Sequence, residues 1–147
     1  MAAITPRTSR YPSRDEIASI FHHLETGEFN KTWAHFSPDV DCVVTHSHPC
    51  SGHFTTFPSY YAATIERMGH IWKEMINLMI RNVVGGGEQE WACIEIQGTA
   101  ECKNGLPFEN EEVMMVRFDE KGVIVQMRVY VDSALVTRAV EENEGKI

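Results

Sequence analysis

Apolar and polar positions alternate most clearly between Trp91 and Asp132, where WACIEIQGTAECKNGLPFENEEVMMVRFDEKGVIVQMRVYVD reads as three strands in succession. Val, Ile, Phe, Thr and Met return at every second residue, and the breaks fall at Lys103-Asn104-Gly105 and Asp119-Glu120-Lys121-Gly122. Both breaks pair Gly with Asn or Asp, the chemistry that tight hairpins need because positive φ costs Gly little. A long antiparallel meander is predicted. Upstream the period lengthens. Ser13 and Glu16 have the spacing of a capping box, and Ile17, Ile20, Phe21 and Leu24 follow on one helical face, with Gly27 as the stop. Phe29 to Phe36 predicts a second short helix halted by Pro38, and Val40 to Val44 a strand. His46-Ser47-His48-Pro49-Cys50-Ser51-Gly52-His53 reads as a loop. Phe57 to Trp72 predicts an amphipathic helix of about four turns. Met75 to Val84 predicts a further strand, turned by Gly85-Gly86-Gly87, and Asp132-Ser133 should cap a last helix running to Glu142.

Helices therefore precede a run of antiparallel strands. This is an α+β layout, a curved, mainly antiparallel sheet with helices packed on its concave face. The 147 residues fit one domain. Residues 1–13, rich in Pro, Ser, Thr and Arg, are expected to form a flexible N-terminal tail, 14–142 the domain, and 143–147 a C-terminal tail. A net charge of −8 argues against nucleic acid as partner, and no apolar run approaches a membrane span. The N-terminal stretch lacks the apolar core of a secretory signal. Four cysteines without CxxC spacing point to reduced thiols and a cytoplasmic setting.

The order of elements, with Asp39-Val40-Asp41, His48-Pro49-x-x-Gly52, Gly105-x-Pro107-Phe108-x-Asn110, Arg117-Phe118-Asp119 and Arg128-x-Tyr130-x-Asp132, resembles the SnoaL-like branch of the NTF2-like superfamily. More distantly it resembles ketosteroid isomerases and limonene-epoxide hydrolases. The resemblance covers about residues 14–140 and implies a cone-shaped fold with an interior pocket, needing no metal or other cofactor. It also implies a homodimer formed through the convex sheet face. Matched to these relatives, the ketosteroid isomerase base falls on Val44, its oxyanion-binding acid on Met114 and its helix tyrosine on Ile20. The last-strand aspartate of the epoxide hydrolases falls on Val129, and their Arg and Asp pair on Glu95 and Gln97. Neither catalytic set is kept.

Which sheet face lines the pocket is ambiguous from periodicity. Alternation alone would send Ile94 and Ile96 inward and Glu95 to water. Matching the turns to the relatives instead turns the odd positions Glu95, Gln97 and Thr99 inward, together with Asn110, Glu112, Met114 and Val116 of the next strand. Met127 and Val129 of the last strand would join them. On this second reading, which we carry forward, Ile94, Ile96, Val113 and Met115 cover the convex face and form the dimer interface.

The expected pocket is then largely apolar with a few polar groups. Glu95 and Glu112 enter it as a mutually repelling pair that shares acid and base duties. Gln97, Asn110 and Thr99 would orient a substrate carbonyl or hydroxyl, and Tyr60, Tyr61, Met114, Met127, Val129 and Val44 would line the site. His46, by alternation from Cys42 and Val44, points to the mouth as a proton carrier. His23 could reach the pocket from the edge of the first helix. His46, His48 and His53 have nitrogen-ligand spacing, yet nothing completes a recognised metal set, so no metal is expected. Asp132 ends a strand and is read as a helix cap. The implied function is a cofactor-independent isomerase or cyclase acting on a small, largely apolar, polyketide- or terpenoid-like intermediate. A hydrolase or dehydratase on the same scaffold, and a non-catalytic ligand-binding or dimerisation module, stay open.

Overall fold

In the computed structural model, which describes residues 7–45 and 47–146, the chain forms one curved sheet wrapped on helices. Helices α1 (Arg14–His22) and α2 (Phe29–Trp33) lead into β1 (Phe36–Val44) and a short β2 (Gly52–Phe54). A broken helix follows as α3 (Phe57–Tyr61), a π-helical turn (Ala62–Glu66) and α4 (Arg67–Gly69). Strands β3 (Asn77–Gly85), β4 (Trp91–Glu101), β5 (Pro107–Phe118) and β6 (Ile124–Tyr130) make the meander, and α5 (Ser133–Asn143) closes the fold. The six strands lie in the order β2-β1-β6-β5-β4-β3. All pairings are antiparallel except β1 with β6, which brings the end of β1 beside the end of β6.

Local chemistry explains most of these boundaries. The Ser13 hydroxyl accepts from the Glu16 N–H at 3.1 Å while the Glu16 carboxylate accepts from the Ser13 N–H at 3.3 Å, the reciprocal capping box that starts α1. The Asp132 carboxylate accepts from the Leu135 N–H at 3.1 Å and starts α5. Strand β1 begins four residues earlier than the apolar run suggests, at Phe36, because Pro38 sits in a bulge between Phe36 and Asp41 where no ladder hydrogen bond is needed. The second helix is correspondingly shorter than Phe29 to Phe36, and Gly52–Phe54 of the predicted loop pairs with β1.

The segment from Arg7 to Ser13 is tied down, in contrast to the expected loose tail. Tyr11 N–H donates to Gly87 O at 2.9 Å and Gly87 N–H to Pro12 O at 2.8 Å. Gly86 permits this docking: its φ is +82°, and a Cβ there would lie 2.8 Å from Pro12 O. At the other end Asn143 is buried and its Oδ1 accepts from the Asn104 N–H at 2.9 Å, so it belongs to the domain rather than to a tail.

The β4–β5 register corrects the face assignment. Ile94 pairs with Met114, Ile96 with Glu112, and Gly98 with Asn110, so even positions of both strands share the concave face. Ile94 and Ile96 are fully buried, whereas Glu95 and Thr99 are exposed on the convex face. The cause is the hairpin. Cys102 N–H donates to Leu106 O at 2.9 Å, closing a loop of three residues, Lys103, Asn104 and Gly105. A three-residue loop puts even opposite even; the inward reading of Glu95 would have needed a two-residue loop. Val113 and Met115 do lie on the convex face, opposite Tyr130 and Arg128 of β6.

Candidate active site

Two apolar clusters fill the space under the sheet. One is built from α1, β1, β4, β5 and β6 around Phe21, Ile96 and Met127; the other joins Met68, Trp72 and Phe108 to α5. A cavity of about 90 Å³ opens along the seam between them. Val44, Tyr60, Met114 and Val129 line it from the first cluster, and Cys50, Met68, Trp72, Phe108 and Val136 from the second. The apolar lining suits a small, largely apolar ligand.

Few polar groups interrupt this lining. Glu112 projects from β5 beside Asn110, whose Nδ2 donates to Glu112 Oε2 at 3.2 Å. The Asn110 amide is itself oriented, because its Oδ1 accepts from the Asp132 backbone N–H at 3.0 Å. The β5–β6 ladder ends at Val113 and Tyr130, so this side-chain bond takes over where strand pairing stops. Burial pushes the Glu112 carboxyl from its ordinary 4.5 up to about 7, against a smaller lowering by the Asn110 hydrogen bond. The side chain keeps some accessible surface, since it borders the cavity and also a shallow hollow shared with Glu95, Glu111 and Tyr130. Protein encloses the carboxyl in spite of that surface, and the enclosure governs its proton affinity.

Tyr60, on α3, is buried against the same space, and burial holds its phenol protonated far above neutrality, with nearby Cys42 and Glu112 adding in that direction. The helix carrying it is broken at Ala62–Glu66 by a π turn, where the Thr64 hydroxyl donates to Tyr60 O at 2.7 Å. The wider turn brings both Thr64 and Ile65 to the cavity wall.

His48 comes from the loop after β1. Its Nδ1 accepts from the Cys50 N–H at 3.2 Å, which favours the ring proton on Nε2. Burial lowers its basicity against a smaller raising by the Thr45 backbone oxygen beside the ring, so the ring is neutral. Arg67 holds this loop down, donating to Pro49 O at 2.7 Å while gripping both carboxylate oxygens of Glu144 at 2.7 Å.

The sequence-predicted site is therefore only partly assembled. Glu112, Asn110, Tyr60, Met114, Val129 and Val44 line the cavity. Glu95, Gln97 and Thr99 do not, because the register turns them to the convex face; Gln97 there accepts from Arg81. No repelling pair exists, and Glu112 owes its raised pKa first to burial. Met127 is fully buried behind the wall. Tyr61 packs on Phe57, with ring centroids 6.2 Å apart, outside the cavity. His23 ends α1 in a separate groove between α1 and β3. His46 lies outside the described residues. His53 bonds to Asp41, and among the described residues no three His, Cys, Asp or Glu side chains gather as a metal-holding group. Sequence reasoning missed Trp33, Trp72, Thr64 and the inward turn of His48. For the two tryptophans the helical periodicity was a usable signal of burial, though not of a cavity beside them.

No family model matches the chain. It is 28% identical over 141 residues to the Dimerizing cyclase phiC of a fungal species and 23% identical over 141 residues to the Dimerizing cyclase tstC of Talaromyces stipitatus. In both alignments 95% of this chain is covered, and it spans 62% of the length of the relative. Among solved structures it superposes on an NTF2-like protein of Burkholderia thailandensis with a TM-score of 0.70, at 18% identity over 84% of this chain and 93% of the other. The chain has the NTF2-like fold.

The raised Glu112 pKa has a definite sign in stability. The folded state binds the extra proton between pH 4.5 and about 7, so Glu112 costs the fold nothing below 4.5 and a growing penalty up to about 7. Glu112→Gln should melt with wild type below pH 4.5 and be more stable by about 3 kcal/mol above pH 7. Denaturant titrations at pH 4 and pH 8 measure this; equal stabilities at both would remove the buried carboxyl.

Proposed function

We propose that the chain is a cofactor-independent cyclase of the isomerase type, acting on a small, largely apolar, polyketide- or terpenoid-like intermediate. The observation that carries this reading is Glu112, a carboxyl with a pKa of about 7 inside an apolar cavity and paired, among the described residues, with Asn110. Near neutrality such a group is half ionised, so the same residue can take a proton and return it. The carboxylate removes a proton from a carbon next to a carbonyl, and the electron pair moves onto the carbonyl oxygen. Tyr60, protonated at every working pH, donates to that oxygen. The resulting carbon nucleophile attacks an electrophilic carbon to close a ring, and the Glu112 acid returns its proton to the oxygen or carbon left negative. The relatives' printed name, dimerizing cyclase, fits a sequence in which a first such bond joins two substrate molecules and a second closes the ring.

Proton abstraction can be read without the native substrate. In deuterated buffer the protein should accelerate exchange of the protons beside the carbonyl of 2-tetralone, and Glu112→Gln should lower the rate by a factor of about 10² to 10⁴. An unchanged rate in that variant would move the chain to the non-catalytic binding reading.

We also propose that two copies associate through the convex sheet face. Val84, Cys93, Met115, Arg128 and Val43 form one row across the strands there, and Val84, Val43 and Tyr130 are 53%, 36% and 45% exposed. Apolar side chains beside Arg117, Arg128, Glu95 and Glu111 make a surface of both signs that can meet its own copy about a two-fold axis. Sedimentation at micromolar concentration should show a dimer, and Met115→Glu a folded monomer. Ile96→Glu, by contrast, should unfold the chain by placing a charge in the core. A wild-type monomer at that concentration would refute the interface.

A further inference from the structure

Three buried side-chain nitrogens among the described residues have no hydrogen-bond partner: Trp33 Nε1, His48 Nε2 and Trp72 Nε1. All three belong to residues that line the cavity, and they come from elements far apart in sequence. Buried N–H groups normally find acceptors, and leaving one without costs about 1 to 3 kcal/mol. Three such donors sit on residues that border one space.

Their chemistry has one sign. An indole nitrogen only donates, and on His48 the acceptance by Nδ1 from the Cys50 N–H at 3.2 Å favours a proton on Nε2. That nitrogen has no partner within hydrogen-bond distance, although the Thr45 backbone oxygen lies near the ring. His48 is 8% exposed and Trp72 6% exposed, and their unpartnered nitrogens are buried, so bulk water does not serve them. Trp33 stands with the aromatic group of Phe36 and Phe57 on one side of the cavity, and Trp72 with Phe108 on the other. No Lys or Arg is among the lining residues, while Glu112 is. Among the described lining residues an anionic ligand would therefore meet a carboxylate with no Lys or Arg to offset it.

We infer that Trp33, His48 and Trp72 are the groups that read the ligand's oxygens, and that the ligand is an uncharged molecule with carbonyl-type acceptors on an otherwise apolar frame. This deepens the cyclase reading and rests on it for the site, not for the chemistry. On a ligand with several oxygens the donors grip those that do not react, leaving Tyr60 and Glu112 for the reacting carbonyl; a ligand with one carbonyl exchanges between the two positions. They would also reject a hydrocarbon of the same shape, since it leaves buried donors unpaired.

Two probes of equal shape test this: 2-tetralone, which carries one carbonyl, and tetralin, which carries none. Wild-type protein should bind the ketone about tenfold more tightly, by quenching of tryptophan fluorescence. In His48→Phe and Trp72→Phe that preference should shrink while tetralin affinity holds, which also shows that the variants keep their cavity. Nitrogen-15 spectra of the wild type give a second readout. The Trp33 or Trp72 indole N–H should move downfield with 2-tetralone and not with tetralin, while Trp91, under Arg128 on the convex face, should not move. Equal affinity for both probes, or a ketone preference and indole shifts indifferent to these residues, would overturn the assignment and leave the Glu112 chemistry standing. Failure of both probes to bind at millimolar concentration would remove the cavity as a ligand site, and the cyclase reading with it.

Discussion

The pairing of β4 with β5 determines what the interior of this protein contains. Ile96 stands opposite Glu112 and Gly98 opposite Asn110, so the strand that delivers the polar groups is backed by one that delivers apolar bulk and a gap. The gap at Gly98 is used: a Cβ there would lie 2.6 Å from the Ile76 side chain, which lies over the glycine and borders the cavity. A shift of one residue would turn Ile94 and Ile96 outward and bring Glu95 in. The fold would lose two fully buried isoleucines and gain a second interior charge. Core burial and the three-residue hairpin thus enforce the same register.

That register leaves one carboxyl where two would repel. Glu112 is kept protonated longer than an ordinary glutamate by enclosure, and Asn110 gives its ionised form just enough support to exist. Asn110 in turn depends on Asp132, whose backbone N–H fixes the amide while its side chain caps α5. The end of the sheet, the start of the last helix and the polar centre of the cavity are therefore one connected set of hydrogen bonds. Small displacements of α5 would be felt at Glu112, and the Arg67–Glu144 pair ties the far end of that helix to the loop carrying His48.

Much of the architecture was legible in the sequence because it rests on local rules. The capping box at Ser13, the cap at Asp132 and the glycine-containing turns each declare themselves within four residues. The resemblance to SnoaL-like proteins implied the fold, and of the expected site residues Glu112, Asn110, Tyr60, Met114, Val129 and Val44 border a cavity. The error at Glu95, Gln97 and Thr99 came from letting alignment of turns override alternation; Lys103-Asn104-Gly105 as a three-residue loop already implied the correct face. Other features had no local signal. The π turn at Ala62–Glu66 and the inward rotation of His48 depend on contacts with Arg67, Cys50 and the seam between two clusters, which only the folded chain brings together.

Everything proposed for the chemistry depends on the ionisation of one side chain. Carbon-13 titration of the Glu112 carboxyl, assigned through the Glu112→Gln variant, measures it directly. A midpoint at about pH 7 is the predicted result. A midpoint in the ordinary glutamate range, about 4.3, would contradict the account, because a carboxyl already fully ionised there is exposed to water and cannot alternate between acid and base at neutral pH.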